Sequence, residues 1–338
     1  MLSYKKIIHY RSIWMALAAI WIVYYHSGLP SFGPVTLTIK SLGYGGVDIF
    51  VFASGLGCYY SLSKNPDILT FWKKRLTRIL PTYYLVLIPW IFYQAFRYGV
   101  SFQAIIANFL CIDFLIQSDF EALWYMNAMW VYYVLALFFV PFCQRASKCR
   151  QIVLFLFCLF CSLPFIGDVR LMLTSRIPIF YLGVLFAHHS KKDSVLTHNQ
   201  VFATISCCAI GFLLVLLFSK FYPDFLWDYG LQWWPFILIT PGLCLLISFI
   251  ASLVDSHIPF LNHCFFFIGK CTLEIYTIHA LLFLVIKNAM SDGLFYGTDK
   301  RWLVFCIIPF ILSGLLVKFR ESVSSKPLIA AHHKQQGE

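Results

Sequence analysis

The chain has 338 residues, of which 60% are hydrophobic and only 12% charged. Soluble domains carry about 25% charged residues, so a soluble globular protein is excluded and a polytopic membrane protein is expected. The formal net charge of +11 does not point to nucleic acid, because Lys and Arg fall in short clusters between apolar runs, a pattern that sets membrane topology.

The apolar runs predict ten spanning helices, at 12–27, 44–62, 79–96, 124–142, 152–167, 177–190, 201–218, 232–253, 272–288 and 302–318. The expected fold is all-α: a polytopic membrane helical bundle of about ten transmembrane helices with both termini cytoplasmic. No small-residue cleavage site follows the first run, so no cleavable signal peptide is expected. The apolar stretch 102–116 is short for a crossing, and charge decides how to read it. With both termini and the connections 63–78, 143–151, 191–200 and 254–271 in the cytoplasm, that side holds 18 of the 26 Lys and Arg. Counting 102–116 as a crossing would put Arg145, Lys148 and Arg150 outside, against the positive-inside tendency. Segment 97–123 is therefore expected on the outer side, partly re-entrant or interfacial, with Asp113, Asp119 and Glu121 in it. A solvated loop is the other reading. No inverted repeat of the transporter kind is evident.

Polar residues interrupt the apolar runs at informative places. His26 ends the first span; an imidazole at bilayer depth is costly and suits general-base work on a hydroxyl. An interfacial His satisfied by headgroups is the alternative. Arg11 lies about 60° around the same helix from His26, as a partner for it or as a positive-side anchor. Gly43, Gly46, Phe50, Ser54 and Gly57 share one face of the second span, where small residues admit close approach. Asp48, near the depth of His26, is suited to orient the imidazole. Ser54 is an acyl carrier or a packing and substrate-contact hydroxyl. Thr272, Tyr276 and His279 form a polar stripe that should face the bundle interior. Cys158 and Cys161 form a C-x-x-C without a second pair or a flanking His, so the thiols read as inert and no metal is expected.

Taken in order, these residues form a pattern. It comprises His26, the stretch Gly45-Gly46-Val47-Asp48-Ile49-Phe50-Val51-Phe52-Ala53-Ser54-Gly55, the basic segment Phe71–Pro81, and Leu123-Trp124-Tyr125-Met126 with Tyr132-Tyr133. It continues through Arg176-x-x-x-Phe180-x-x-Gly183 to Gly269-x-x-Thr272-x-x-x-Tyr276-x-x-His279. The whole resembles acyltransferase family 3, integral-membrane enzymes that move acyl groups from acyl-CoA onto sugars and other acceptors. Two departures stand out: Met15 occupies the place where the family usually has Arg or Lys, and Asn127 and Ala128 stand where some branches carry a glutamate.

The resemblance implies His26, Asp48 and Arg176 as catalytic residues, with Arg176 stabilising an oxyanion unless it is only a structural ion pair. It implies CoA phosphates at Arg75 and Arg78, for which a topology signal with anionic-lipid contact is the alternative. Tyr276 and His279 would line the acyl-CoA path, and Arg11, Ser54 and Trp124 would touch substrate. The implied reaction moves an acyl group, expected to be acetyl from acetyl-CoA, from the cytoplasm to a hydroxyl of a cell-surface polysaccharide or its lipid-linked precursor. The expected setting is the lipid bilayer of a bacterial cytoplasmic membrane, with glycan-assembly proteins as candidate partners and no nucleic acid. Residues 1–320 would form the transmembrane acyltransferase domain and 321–338 a short cytoplasmic tail, so that the chain acts alone or with a separate partner. The competing reading is a transporter or exporter of a lipid-linked sugar, which needs neither a basic CoA site nor a histidine near the outer face.

Overall fold

A computed structural model of the chain describes residues 3–97, 99–116, 123–190, 195–291 and 301–335. Fifteen helices follow one another: α1 (Tyr4–His9), α2 (Arg11–His26), α3 (Pro34–Ser41), α4 (Gly46–Lys64), α5 (Ile68–Arg97), α6 (Phe102–Phe109), α7 (Trp124–Arg145) and α8 (Lys148–Phe160). They continue as α9 (Leu171–Thr174), α10 (Ile177–Ser190), α11 (His198–Phe221), α12 (Phe236–His257), α13 (Pro259–Lys270), α14 (Thr272–Ser291) and α15 (Arg301–Gln335). Among the described residues the only β pairing is an isolated Ser3–Val195 bridge.

The helix ends follow local chemistry. Thr197 and Gln200 close a capping box at the start of α11, and Ser101 caps α6. Pro259 opens α13, and the residue before it, Ile258, is pulled out of helical conformation, which ends α12.

Among the described residues seven helices are long and apolar enough to cross a membrane, or nine if the bent pairs α3–α4 and α13–α14 each count as one span. The pairs bend by 41° and 65° respectively. The tenth expected crossing is α2, whose 16 residues extend only about 24 Å. We propose that it crosses with α1 as its extension, because it runs through the centre of the bundle with Trp14, Ala16 and Ala18 fully buried. The cytoplasmic placement of the termini is likewise proposed from the basic-residue distribution.

Several expected boundaries move. α5 begins at Ile68, so the basic segment expected in the 63–78 loop is the first two turns and more of a helix. Its Lys, Arg and Leu residues are good helix formers. The connection 254–271, expected as a loop, contains α13. α15 continues beyond residue 320 through most of the expected tail. In 102–116 only the eight residues of α6 are helical, about 12 Å, which is too short for a crossing. The chain beyond α6 turns inward: Cys111, Asp113 and Phe114 are buried. Asp119 and Glu121 lie outside the described residues.

A close helix contact joins α4 and α10 through reciprocal glycines. A Cβ added at Gly55 would sit 2.1 Å from the Phe180 carbonyl oxygen, and one at Gly183 would sit 2.1 Å from that of Phe52. Without a hydrophobic drive between helices in lipid, such backbone proximity is a main source of association. Gly183→Val should therefore push the two helices apart and destabilise the protein by about 1–3 kcal/mol or more. A thermal ramp read by size-exclusion chromatography in detergent checks this; an unshifted midpoint would mean that the contact relaxes at no cost.

Candidate active site

Among the described residues, two of the cavities in the bundle meet at one side chain. The first, of about 530 Å³, is basic: Arg11, Lys74, Arg75, Arg78, Lys270 and Arg320 all line it. These residues come from α2, α5, α13 and α15, and Arg75 and Arg78 share a face of α5 at i, i+3. The Arg75 guanidinium lies over the rings of Phe71 and Tyr133, 5.1 Å from each centroid, an arrangement that orients the cation. Gly57 leaves room for a neighbour, since a Cβ there would stand 3.6 Å from Arg11 Nη1. Among the described residues no ion pair reaches Arg11, Arg75 or Arg78. Arg320 is engaged, 3.0 Å from Glu274 Oε1, and Thr82 donates to the same carboxylate oxygen. Among the described residues Glu321 is the one carboxylate in the lining, and the excess of cations over it creates a site for a polyanion.

The second cavity, of about 410 Å³, contains His26, His279, Trp124, Arg176, Trp233 and Tyr276 among its walls. His26 Nδ1 lies 3.2 Å from His279 Nε2, and the two rings meet nearly edge to edge, with centroids 5.3 Å apart and planes 28° from parallel. His279 Nδ1 lies 3.2 Å from the Ile275 carbonyl oxygen, one turn back on α14. Arg176, in the lining, and Asp48 form a fully buried pair, Nε to Oδ1 at 3.0 Å and Nη2 to Oδ2 at 3.4 Å. Arg176 Nη1 also donates to the Met172 carbonyl, 2.6 Å away. Trp124 and Trp233 face the guanidinium at 5.2 and 5.3 Å. Removing either partner of such a pair would leave a buried charge uncompensated, at about 3–5 kcal/mol.

Tyr276 lines both cavities. Its ring meets Tyr125 edge-on at 5.2 Å and His279 at 5.5 Å. The basic cavity thus ends, and the histidine cavity begins, at the same side chain.

The residues singled out in the sequence divide between these two places. Arg11, Ser54, Arg75 and Arg78 line the basic cavity; His26, Trp124, Arg176 and His279 line the histidine cavity; Tyr276 belongs to both. Asp48 is not beside the imidazole it was expected to orient: its carboxylate is committed to Arg176, and the ring nitrogen next to His26 belongs to His279. Arg11 stands with the phosphate-binding candidates and not with His26, about 22 Å away along α2. Ser54 likewise lines the cavity that neither histidine lines.

Sequence reasoning missed Arg320, which follows the last expected span at the end of the expected domain and gave no signal, and Trp233, whose stacking on Arg176 depends on a distant fold contact. Lys270 sits inside the Gly269–His279 motif and could have been found there. Among the described residues no group of three His, Cys, Asp or Glu is placed to hold a metal ion.

No curated protein and no solved structure is matched by the chain. A family model described as an acyltransferase domain, that of acyltransferase family 3, matches residues 15–319, a stretch that opens at Met15 and leaves Arg11 just outside. That match sets aside the exporter reading and, with the long apolar helices, makes the protein a multi-pass membrane acyltransferase: the chain belongs to acyltransferase family 3.

Proposed function

We propose that the protein transfers an acyl group, acetyl in the simplest case, from cytoplasmic acyl-CoA to a hydroxyl of a cell-surface polysaccharide or its lipid-linked precursor. One observation carries the reading: a basic cavity and a histidine cavity meet at Tyr276 within a single bundle. Acyl-CoA is a polyanion at one end and a thioester at the other, joined by an extended arm. Its phosphates would pair with Arg75, Arg78 and Arg11, for which Arg forks are well suited. The arm would run past Ser54 and Tyr125 to bring the thioester carbonyl to Tyr276 and His26.

In this reading His26 removes the proton from the acceptor hydroxyl as that oxygen attacks the thioester carbon. The tetrahedral intermediate then collapses, the carbon–sulfur bond breaks, and the CoA thiolate recovers the proton from His26. Arg176, held by Asp48, has two N–H groups beyond those bound to Asp48 and Met172. They are proposed to stabilise the oxyanion. Aromatic walls at Trp124 and Trp233 suit the flat apolar faces of a sugar ring.

Purified protein in vesicles, given radiolabelled acetyl-CoA and surface glycan extracted from a deletion strain, should yield alkali-labile O-acetyl on the glycan. Label transfer should fall when unlabelled CoA competes and stay unchanged with pantetheine, which lacks the nucleotide phosphates. Equal competition by pantetheine would remove the basic cavity from the donor site, and absence of label on the glycan would sink the acceptor assignment.

A further inference from the structure

We infer that His279 is a positioning residue that fixes the tautomer of His26 and so makes His26 Nε2 the basic atom; this rests on the proposal that His26 is the general base. The assignment follows from what each atom can do. The Ile275 oxygen is a carbonyl and only accepts, so the His279 nitrogen facing it at 3.2 Å, Nδ1, carries the hydrogen. A neutral imidazole bears one N–H, which leaves His279 Nε2 with a lone pair. That lone pair faces His26 Nδ1 at 3.2 Å, so His26 Nδ1 carries its own hydrogen and donates. The remaining nitrogen of His26, Nε2, is then bare.

The arrangement runs from a backbone carbonyl on α14, through two rings, to the acceptor's proton. His279 does here what a carboxylate does for the histidine of a hydrolytic triad: it holds the ring in one tautomer and one orientation. It does so without a negative charge. When His26 Nε2 takes the acceptor's proton, the O–H bond breaks and an N–H bond forms, while the Nδ1 hydrogen stays in place, donated to His279. The proton later passes from Nε2 to the departing thiolate, so His279 neither gains nor loses a proton. The buried position of His279, 5% exposed, leaves few other partners for its Nε2. Asp48 does not compete for the role, because both of its oxygens are turned to Arg176.

The test has two arms. Full-length protein selectively labelled with 15N-histidine and reconstituted in lipid gives the tautomer of each ring by solid-state NMR, with the His26 signals identified by their loss in His26→Gln. A proton on Nδ1 of His26 is expected; a proton on Nε2 overturns the inference, and this arm needs no activity. The second arm compares His279→Leu with His279→Gln, whose side-chain carbonyl can still accept from His26 Nδ1, in the acetyl-CoA-to-glycan assay. His279→Leu should lower kcat about 100-fold with KM for acetyl-CoA within about threefold, and His279→Gln should recover kcat to within about tenfold of wild type. A loss carried by KM, or no loss in His279→Leu, or equal losses in both variants, overturns it. If wild-type protein transfers no acetyl at all, the functional reading fails, and the NMR arm still decides the tautomer.

Discussion

Replacing His26 by alanine should lower acyl transfer by about 10²–10⁴-fold, the usual contribution of a positioned general base, and leave the protein folded. The side chain ends α2 and is only half-buried, so its removal opens a little more space beside His279 and breaks no ion pair. Expression, membrane insertion and detergent behaviour should match wild type, and donor binding should be unchanged because the basic cavity is lined elsewhere. The measurement is O-acetyl content of the surface glycan, together with binding of acetyl-CoA to purified protein. Near-normal acetylation in the variant would remove His26 from the chemistry.

Changing Arg75 and Arg78 together to Gln should have the opposite signature, with lost donor binding and intact chemistry at saturation. Charge-assisted hydrogen bonds are worth about 1.5–3 kcal/mol each, so the pair predicts roughly 100-fold or more in Kd. Arg75 is the better placed of the two. It lies over Phe71 and Tyr133, with Nη2 near the Gly57 carbonyl oxygen at 3.5 Å, so it is already oriented before a ligand arrives. Arg78 is exposed and should act more through charge. The double variant should also show a weaker salt dependence, because fewer phosphates are neutralised by exposed cations. Unchanged affinity would leave both residues with only a topological role.

Much of the architecture was legible because lipid imposes long apolar runs, and those runs mark α5, α7, α11, α12 and α15 clearly. The misread stretches are those where a helix does not need to be apolar. The start of α5 is basic, and α13 carries Asn262, His263 and Cys264, so both resembled connecting loops. The functional residues were picked out by type and order, but their pairing was not. His26 and His279 are 253 residues apart, and Asp48 and Arg176 are 128 apart. Nothing local to either residue announces its partner. Asp48 illustrates the cost: an acid at the depth of His26 is chemically the right orienting group, yet the α4–α10 contact at Gly55 and Gly183 draws α4 against the helix that Arg176 precedes. Backbone proximity between two helices decided which residue the carboxylate would face.

Tyr276, as the wall common to both cavities, has an electrical consequence. Where water-accessible cavities enter from opposite faces, the insulating layer shrinks to about the width of that side chain, and most of the transmembrane voltage falls across it. A unit charge driven past it would exchange about 2.3 kcal/mol with the field per 100 mV. In the proposed reaction the nucleotide polyanion stays on its own side of the ring. One acyl group passes outward and one proton passes inward, formally an exchange of two single positive charges. The work done by the field on one cancels the work done on the other. Acyl transfer through this bundle would therefore be electroneutral, its equilibrium set by the thioester and ester bonds alone and indifferent to whether the membrane is energised.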